Sequence, residues 1–468
     1  MTLYEYVDSI KEKRIAVIGA GVSNMPLIRL LLSNGCDVTV CDRRSLDALG
    51  SDGEELMRLG AKLTLGEDYL EHLEHDLIFR TPGLMPFDPH LLAAAEKGSV
   101  VTSEMEVFFS LCPCRTVAVT GSDGKTTTTT VIAELLKAAG YTVHLGGNIG
   151  RPLLCDVPKM GPEDFAVLEL SSFQLHSMKC RPNVSVITNI SPNHLDKHKD
   201  YQDYIDAKRS IFTSQTGHDR LVLNLDDAHS AYYASSAKAR ISWFSGRSPV
   251  ENGAYCQNGV IFRVQDGCAH KIMDASEIRI PGEHNVLNYL AAFCATEGFV
   301  GDDICRDVAV SFAGVEHRLE EVRRIGGVLF INDSIASSPS RTAAGLRSMK
   351  RKPIIIVGGY DKHIAFDGLG DDLCRFAKRV FITGATAEKI RASIEASPLL
   401  AESALEYEMA DDFDAAVHAA AASAEAGDIV LLSPACASFD AFANFAERGK
   451  HFKNLVMELK DEDIGHQT

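Results

Sequence analysis

Fifteen residues, Thr116-Val-Ala-Val-Thr-Gly-Ser-Asp-Gly-Lys-Thr-Thr-Thr-Thr-Thr130, leave the chain few ways to fold around them. Thr116 to Thr120 is a short β-branched run of the kind that forms a buried strand. The run breaks at Gly121-Ser-Asp-Gly124, and Lys125 and Thr126 open a helix expected to reach about Ala139. Strand, glycine turn and helix together present free backbone N–H groups and a positive helix end, an arrangement suited to phosphate. On this pattern Gly121, Ser122, Asp123 and Gly124 cradle phosphates, Lys125 reaches the terminal ones, and the Thr126 hydroxyl holds Mg²⁺. The usual phosphate loop has four residues between its glycines, whereas this one has two. By spacing alone, a tight glycine turn before an ordinary helix reads the same way.

The rest of the composition narrows the class. The 468 residues suffice for two to four domains, and 46% hydrophobic content supplies several cores. A net charge of −17 argues against nucleic acid or an anionic membrane as a partner. The twelve cysteines include no C-x-x-C pair, and Cys112 and Cys114 stand too close for a zinc knuckle. They read as reduced thiols of a cytoplasmic protein. No uninterrupted apolar stretch of about 18 residues predicts a membrane span, and Met1 to Arg14 lacks the apolar core of a signal peptide.

Before the phosphate loop, Arg14 to Gly19 forms a strand ending in Gly19-Ala-Gly21-Val-Ser23-Asn24. A helix to about Asn34 and a strand from Asp37, ending at Asp42, complete a βαβ unit with an acid at the second strand's end. Asn24 stands where the dinucleotide fingerprint has its third glycine. Leu77-Ile-Phe is a further strand, Glu104 to Ser110 a short helix, and the first domain is expected to span 1–113. In the second, 114–314, strands end at Gly146-Gly-Asn148-Ile-Gly150, at Glu169 and at Ser191-Pro-Asn-His194. Ligands sit at the carboxyl ends of parallel strands. Glu169 and His194 there make a candidate cation site beside the phosphate loop. Lys208, on a helix from Tyr201 to Phe212, reads on its own as a solvated lysine. Ile241-Ser-Trp-Phe and Val260-Ile-Phe-Arg-Val alternate and look antiparallel. In the third domain, 315–468, strands at Val328, Ile354, Arg379 and Ile429 alternate with alanine-rich helices. The expected class is α/β in three domains. The first and third are Rossmann-like, and the central one is a phosphate-loop ATPase-like parallel sheet with a small antiparallel part.

Taken together, the motifs resemble the Mur ligases, ATP-dependent amide-forming enzymes of peptidoglycan precursor synthesis. The resemblance runs from about Arg14 to Phe452 and includes the short glycine spacing. It rests on Gly121-Ser-Asp-Gly-Lys-Thr126, Gly147-Asn148-Ile-Gly150, Glu169-Leu-Ser171-Ser-Phe-Gln174, Asn189 to His198, Gly282-Glu-His-Asn285 and Glu316-His-Arg318. Asn332-Asp333-Ser334, Gly358-Gly359 with Lys362, and Ser433-Pro-Ala-Cys-Ala-Ser438-Phe439-Asp440 followed by Phe445 imply D-glutamate as the incoming amino acid. UDP-N-acetylmuramoyl-L-alanine is the implied acceptor.

The resemblance assigns Lys125, Thr126 and Thr127 to the ATP phosphates and Mg²⁺, Glu169 to a first Mg²⁺ and His194 to a second. It places Lys208 where the family carries a carbamylated lysine, a metal ligand. It gives Asn285, Arg318 and Asp333 to ATP, and Ser23, Asp42 and Arg43 to the uridine diphosphate end. Asn148, Ser171 and Gln174 fall to the substrate, and Lys362, Ser438, Phe439 and Phe445 to D-glutamate. Lys125, His194, Lys208 and Lys362 are the implied catalytic set, in a monomer. The sequence departs from the family at Asn193, often an acid, and at Ile335, often a lysine, whose charge Arg341 could replace. Competing readings are a sister ligase for another amino acid or folate polyglutamate, a dehydrogenase on Gly19-x-Gly21, and a non-catalytic nucleotide switch. Lys362 and the Ser433–Asp440 stretch speak against the first, and the phosphate loop against the second.

Overall fold

Apolar runs without alternation become strands covered on both faces. Ile15, Ala16, Val17 and Ile18 are each at most 1% exposed. The computed structural model describes residues 1–192, 197–265, 267–280, 282–361, 365–366 and 368–465. They fall into two compact units, Met1–Phe312 and Ala313–Thr468.

The first unit holds two sheets. One is all parallel, with β1 (Arg14–Ile18), β2 (Asp37–Asp42), β3 (Lys62–Leu65), β4 (Leu77–Phe79) and β5 (Val100–Thr102) in the order β3-β2-β1-β4-β5. The strand order reverses between β1 and β4, which opens a crevice at their carboxyl ends. There stand Gly19 to Ser23 on one side and Arg80 to Pro82 on the other.

The second sheet has nine strands. They are β6 (Arg115–Thr120), β7 (Val143–Gly147), β8 (Phe165–Glu169), β9 (Val184–Ile187), β10 (Arg220–Asn224), β11 (Arg240–Ser245), β12 (Gly253–Gln257), β13 (Val260–Gln265) and β14 (Cys268–Asp274). Their order is β14-β13-β12-β11-β10-β9-β6-β8-β7. Among the described residues, only β12–β13 and β13–β14 of this sheet pair antiparallel. The expectation for Ile241-Ser-Trp-Phe is corrected here: β11 runs parallel to both β10 and β12. Its alternation reports one less-covered face, which carries no information about strand direction. One apolar cluster runs from Leu3 and Val17 of the first sheet's surroundings through Leu168 to Leu223 of the second, so the two sheets share a core.

The second unit is built on β15 (Glu320–Ile325), β16 (Val328–Asn332), β17 (Ile354–Gly358), β18 (Arg379–Thr383), β19 (Glu406–Met409) and β20 (Ile429–Leu432). The order is β15-β16-β20-β17-β18-β19, parallel except for the β15–β16 hairpin. β15, Glu-Glu-Val-Arg-Arg-Ile, escaped the sequence reading because an edge strand tolerates charges that a central strand would not. The α/β class with three mainly parallel sheets is the one expected from the alternation of strands and helices. Among the described residues no helix is long and apolar enough to cross a membrane.

Candidate active site

β6 delivers the phosphate loop to the middle of the nine-stranded sheet. Gly124 adopts φ +77°, and a Cβ there would collide with the Asn288 side chain. The Lys125–Ala138 helix then starts with five threonines, poor helix formers by virtue of their branched Cβ. Two of them bond back into the helix, Thr129 Oγ1 to the Lys125 carbonyl and Thr130 Oγ1 to that of Thr126, each at 2.8 Å. The loop is braced from β9: the Ser122 N–H donates to the Asn189 carbonyl and the Asp123 N–H to Asn189 Oδ1, both at 2.9 Å. Lys125 Nζ folds over it, donating to the carbonyls of Gly121 (3.0 Å) and Ser122 (2.8 Å).

Glu169, at the end of β8, is 2% exposed and gathers the neighbouring groups. Thr126 Oγ1 donates to Glu169 Oε2 at 2.7 Å, and Asn148 Nδ2 to Oε1 at 2.8 Å. Gly147, at φ +96°, brings the β7 loop so close that a Cβ would strike the Glu169 carbonyl. Lys208 is 1% exposed and donates from Nζ to the Gly121 carbonyl at 2.7 Å. Burial pushes its amine well below the ordinary lysine range, and the Lys125 charge adds to that. Lys125, Thr126, Asn148, Glu169 and Lys208 therefore converge on one shelf, with Thr127 buried behind it. His194 lies outside the described residues, as does Asn193. Asn285 belongs to the same neighbourhood, its Oδ1 accepting from Asn288 Nδ2 at 3.2 Å.

A small cleft is lined by Ser23, Arg80, Glu104, Gly147 and Gln174 among others, Gly147 being the chain neighbour of Asn148. Ser171 and Gln174 form a capping box on the short helix after Glu169. Asp42 is turned inward: it accepts from the Ala20 N–H at 2.8 Å and pairs with Arg44, holding the glycine turn in place. Arg43 pairs instead with Glu67, both well exposed. Asn24, in the place of the third glycine, donates to the carbonyls of Ile18 and Gly19.

Sequence reasoning missed two buried charges in this cleft. Arg80 donates to the carbonyls of Leu84 and Phe173 and to Ser177 Oγ. Glu104 accepts from the Leu154 N–H at 2.7 Å, and burial raises its carboxyl to about 7. A carboxyl raised from 4.5 to about 7 favours folding most when neutral, and that advantage is lost as pH rises from about 4.5 to about 7. The loss amounts to roughly 3 kcal/mol at most. Glu104→Gln is therefore expected to gain stability relative to the parent over that window and to hold its gain above it. Thermal melts at a series of pH values would show this, and a difference constant with pH would refute it.

In the second unit, Asp333 follows β16 and is 4% exposed. It accepts from Ser433 Oγ at 2.8 Å and from the Leu319 N–H, and burial raises it to about 7 against the pull of those bonds and of Arg318 and Arg341. Arg318 is on the surface nearby. Arg341 donates to the Ile335 carbonyl at 3.3 Å. The Ser433–Asp440 stretch is fastened from beneath by Arg448, 2% exposed, whose guanidinium bonds to the carbonyls of Ser334, Cys436 and Ala437 and to Ser334 Oγ. Ser438 is buried, while Phe439 and Phe445 stand out at 59% and 38% exposure. Lys362 lies outside the described residues.

Known proteins match this chain over nearly its whole length. Residues 119–296 match the Mur ligase middle domain, and residues 317–436 the Mur ligase glutamate ligase domain. The UDP-N-acetylmuramoylalanine–D-glutamate ligase of Acetivibrio thermocellus is 47% identical over 98% of the chain and 99% of its own length. That of Ruminiclostridium cellulolyticum is 46% identical over 98% and 99%. Among solved structures, the UDP-N-acetylmuramate–alanine ligase of Thermotoga maritima shares the fold with a TM-score of 0.56 at 17% identity, covering 95% of this chain and 99% of that one. MurF from Acinetobacter baumannii does so with a TM-score of 0.55 at 16% identity, covering 95% and 90%.

Proposed function

The chain belongs to the Mur ligase family, and from that premise we propose that it joins D-glutamate to UDP-N-acetylmuramoyl-L-alanine at the expense of ATP. A carboxylate is a poor acyl donor, because its leaving group would be oxide. Its oxygen therefore attacks the terminal phosphorus of ATP, ADP leaves, and the acceptor becomes an acyl phosphate. The amine of D-glutamate attacks the acyl carbon, loses a proton, and phosphate departs from the tetrahedral intermediate. Both steps crowd negative groups together, so the protein's work is placement and charge stabilisation.

The observation that carries this reading is the Thr126–Glu169 contact at the mouth of the phosphate loop, with Asn148 and Lys208 beside it. Backbone N–H groups of the loop and the Lys125 ammonium bind the phosphates. A hydroxyl and a carboxylate side by side are hard oxygen donors that fit Mg²⁺. Thr126 and Glu169 would hold it, and bound there it supplies positive charge against the phosphates. We assign His194 and a carbamylated Lys208 to a second ion. Only a neutral amine adds to CO₂, giving a carbamate and a proton, and the depressed basicity of buried Lys208 favours that form.

Ser23, Asp42 and Arg43 serve the uridine diphosphate end of the acceptor, the cleft its length, and Asn148, Ser171 and Gln174 its reacting end. Asn285, Arg318 and Asp333 take the rest of ATP. Lys362, Ser438, Phe439 and Phe445 take D-glutamate, with Lys362 facing a carboxylate. The assignment divides the chain into residues 1–113 for the acceptor, 114–314 for ATP and 315–468 for amino acid and nucleotide. It takes the protein as a monomer of the cytoplasm, where ATP and UDP-activated sugars are made.

The test is phosphate release from ATP and Mg²⁺ with UDP-N-acetylmuramoyl-L-alanine and a panel of amino acids. Release with D-glutamate alone, and an amide product of matching mass, is expected. Release with a different amino acid would keep the mechanism and move the substrate; none at all would leave a nucleotide-binding protein without the reaction.

A further inference from the structure

A chain of four side chains behind the shelf has no part in the reaction as described. Ser172 Oγ lies 2.9 Å from His198 Nε2, His198 Nδ1 lies 2.8 Å from Asp203 Oδ2, and Asp203 Oδ1 lies 2.8 Å from His176 Nε2. His198 has no exposed side-chain surface. It stacks on Phe173 with ring centroids 5.4 Å apart and meets Tyr204 edge-on at 5.2 Å. Both ends of the chain, Ser172 and His176, belong to the single helical turn Ser172–Leu175 and its cap, which follows Glu169. Its middle, Asp203, is in the first turn of the Tyr201–Arg209 helix, which carries Lys208 in its last turn.

That helix also touches the phosphate loop twice. Tyr204 OH lies 2.8 Å from Ser122 Oγ, and Lys208 Nζ donates to the Gly121 carbonyl. Among the described residues, the charged groups facing Lys208 are Lys125, Asp123 and Glu169. Glu169 and Lys208 come from segments far apart in sequence, so their mutual placement depends on what fastens the short turn to the longer helix. The chain of four makes that fastening. The ligating atoms of His176, His198 and Asp203 lie within 4.8 Å of one another. Each carboxylate oxygen already meets an imidazole, which is the geometry of a buried brace with its polar groups satisfied.

We infer that His198 and Asp203 are positioning residues of the ligase, clamping the Tyr201–Arg209 helix to the Ser172–Leu175 turn so that Lys208 is delivered to Gly121 and Glu169. The inference rests on the reading of that shelf as the cation and phosphate site. Outer partners of metal ligands, when removed, typically cost 10- to 100-fold in metal affinity or activity. For the full chain, His198→Ala is expected to raise the half-saturating Mg²⁺ concentration and lower kcat by about 10- to 100-fold. The KM for UDP-N-acetylmuramoyl-L-alanine should stay near the parent's. His198→Asn, whose amide still donates toward Asp203, is expected to recover most of the loss, and Ser172→Ala to show the same direction at smaller size.

The parent is titrated with Mg²⁺ first. If its turnover is independent of Mg²⁺, the cation reading falls and the positioning role falls with it. If the parent depends on Mg²⁺ and both His198→Ala and Ser172→Ala share its Mg²⁺ response and kcat, the positioning role alone is overturned. A loss confined to melting temperature, or a shift confined to the KM of the UDP substrate, overturns it too. Should His198→Ala not fold, Ser172→Ala carries the same comparison.

Discussion

Lys208→Met is expected to lower turnover by about 10³-fold while the protein remains folded, since two to three decades is the scale of one preorganised charged group in an active site. Methionine keeps an unbranched apolar stem and removes an amine that lies 4.5 Å from the Tyr204 ring centroid and that burial already disfavours in its charged form. What it removes as well is the contact with Gly121 and any carbamate built on Nζ. Assays of the parent in buffer stripped of CO₂, then supplied with bicarbonate, separate these two losses. Activity that falls and returns identifies the carbamate as the working form. Activity indifferent to bicarbonate would mean that the amine itself, on the Gly121 carbonyl, is what the site needs. Undiminished turnover in Lys208→Met would remove the residue from the reaction.

Lys125→Ala is expected to cost about 10³-fold in kcat/KM for ATP, about 4 kcal/mol of transition-state stabilisation. Its ammonium is the cation held over the loop by two carbonyls, at 3.0 and 2.8 Å. Arginine should not rescue it, because a planar fork cannot replace a compact ammonium in that fold-back geometry. Steady-state kinetics at varied ATP would decide. A loss below about tenfold would mean that the backbone N–H groups carry the phosphates without it.

The phosphate loop was readable because its information is local: a strand, a turn of fixed residue types and a helix start follow one another within fifteen residues. Glu169 was readable one step further out, as a polar residue at a strand end where α/β sheets keep their ligands, whereas Asn148 came only with likeness to a family. Lys208 was not readable by that route. A lysine in an amphipathic helix looks solvated until tertiary packing buries it, and only likeness to a family pointed to it. Arg80 and Glu104 sit among apolar neighbours in sequence, and nothing local tells a charge aimed into a cleft from one aimed at water. The His198–Asp203 spacing matches no short motif, and its partners Ser172 and His176 lie more than twenty residues earlier. Strand direction failed at β11 for the same reason, since alternation describes faces and says nothing about neighbours.

The grip of Arg80 and Glu104 across two sheets bears on how such a chain can be recombined. Arg80 leaves the end of β4 to bind Phe173 and Ser177, Glu104 holds the start of the 154–159 turn, and one apolar cluster crosses from sheet to sheet. Cutting between them would break these bonds and open a core on both pieces. The first hundred or so residues are thus not a cassette that could be cut out and traded on their own. A productive graft would have to carry the second sheet along, so residues 1 to 312 would have to be inherited as one block.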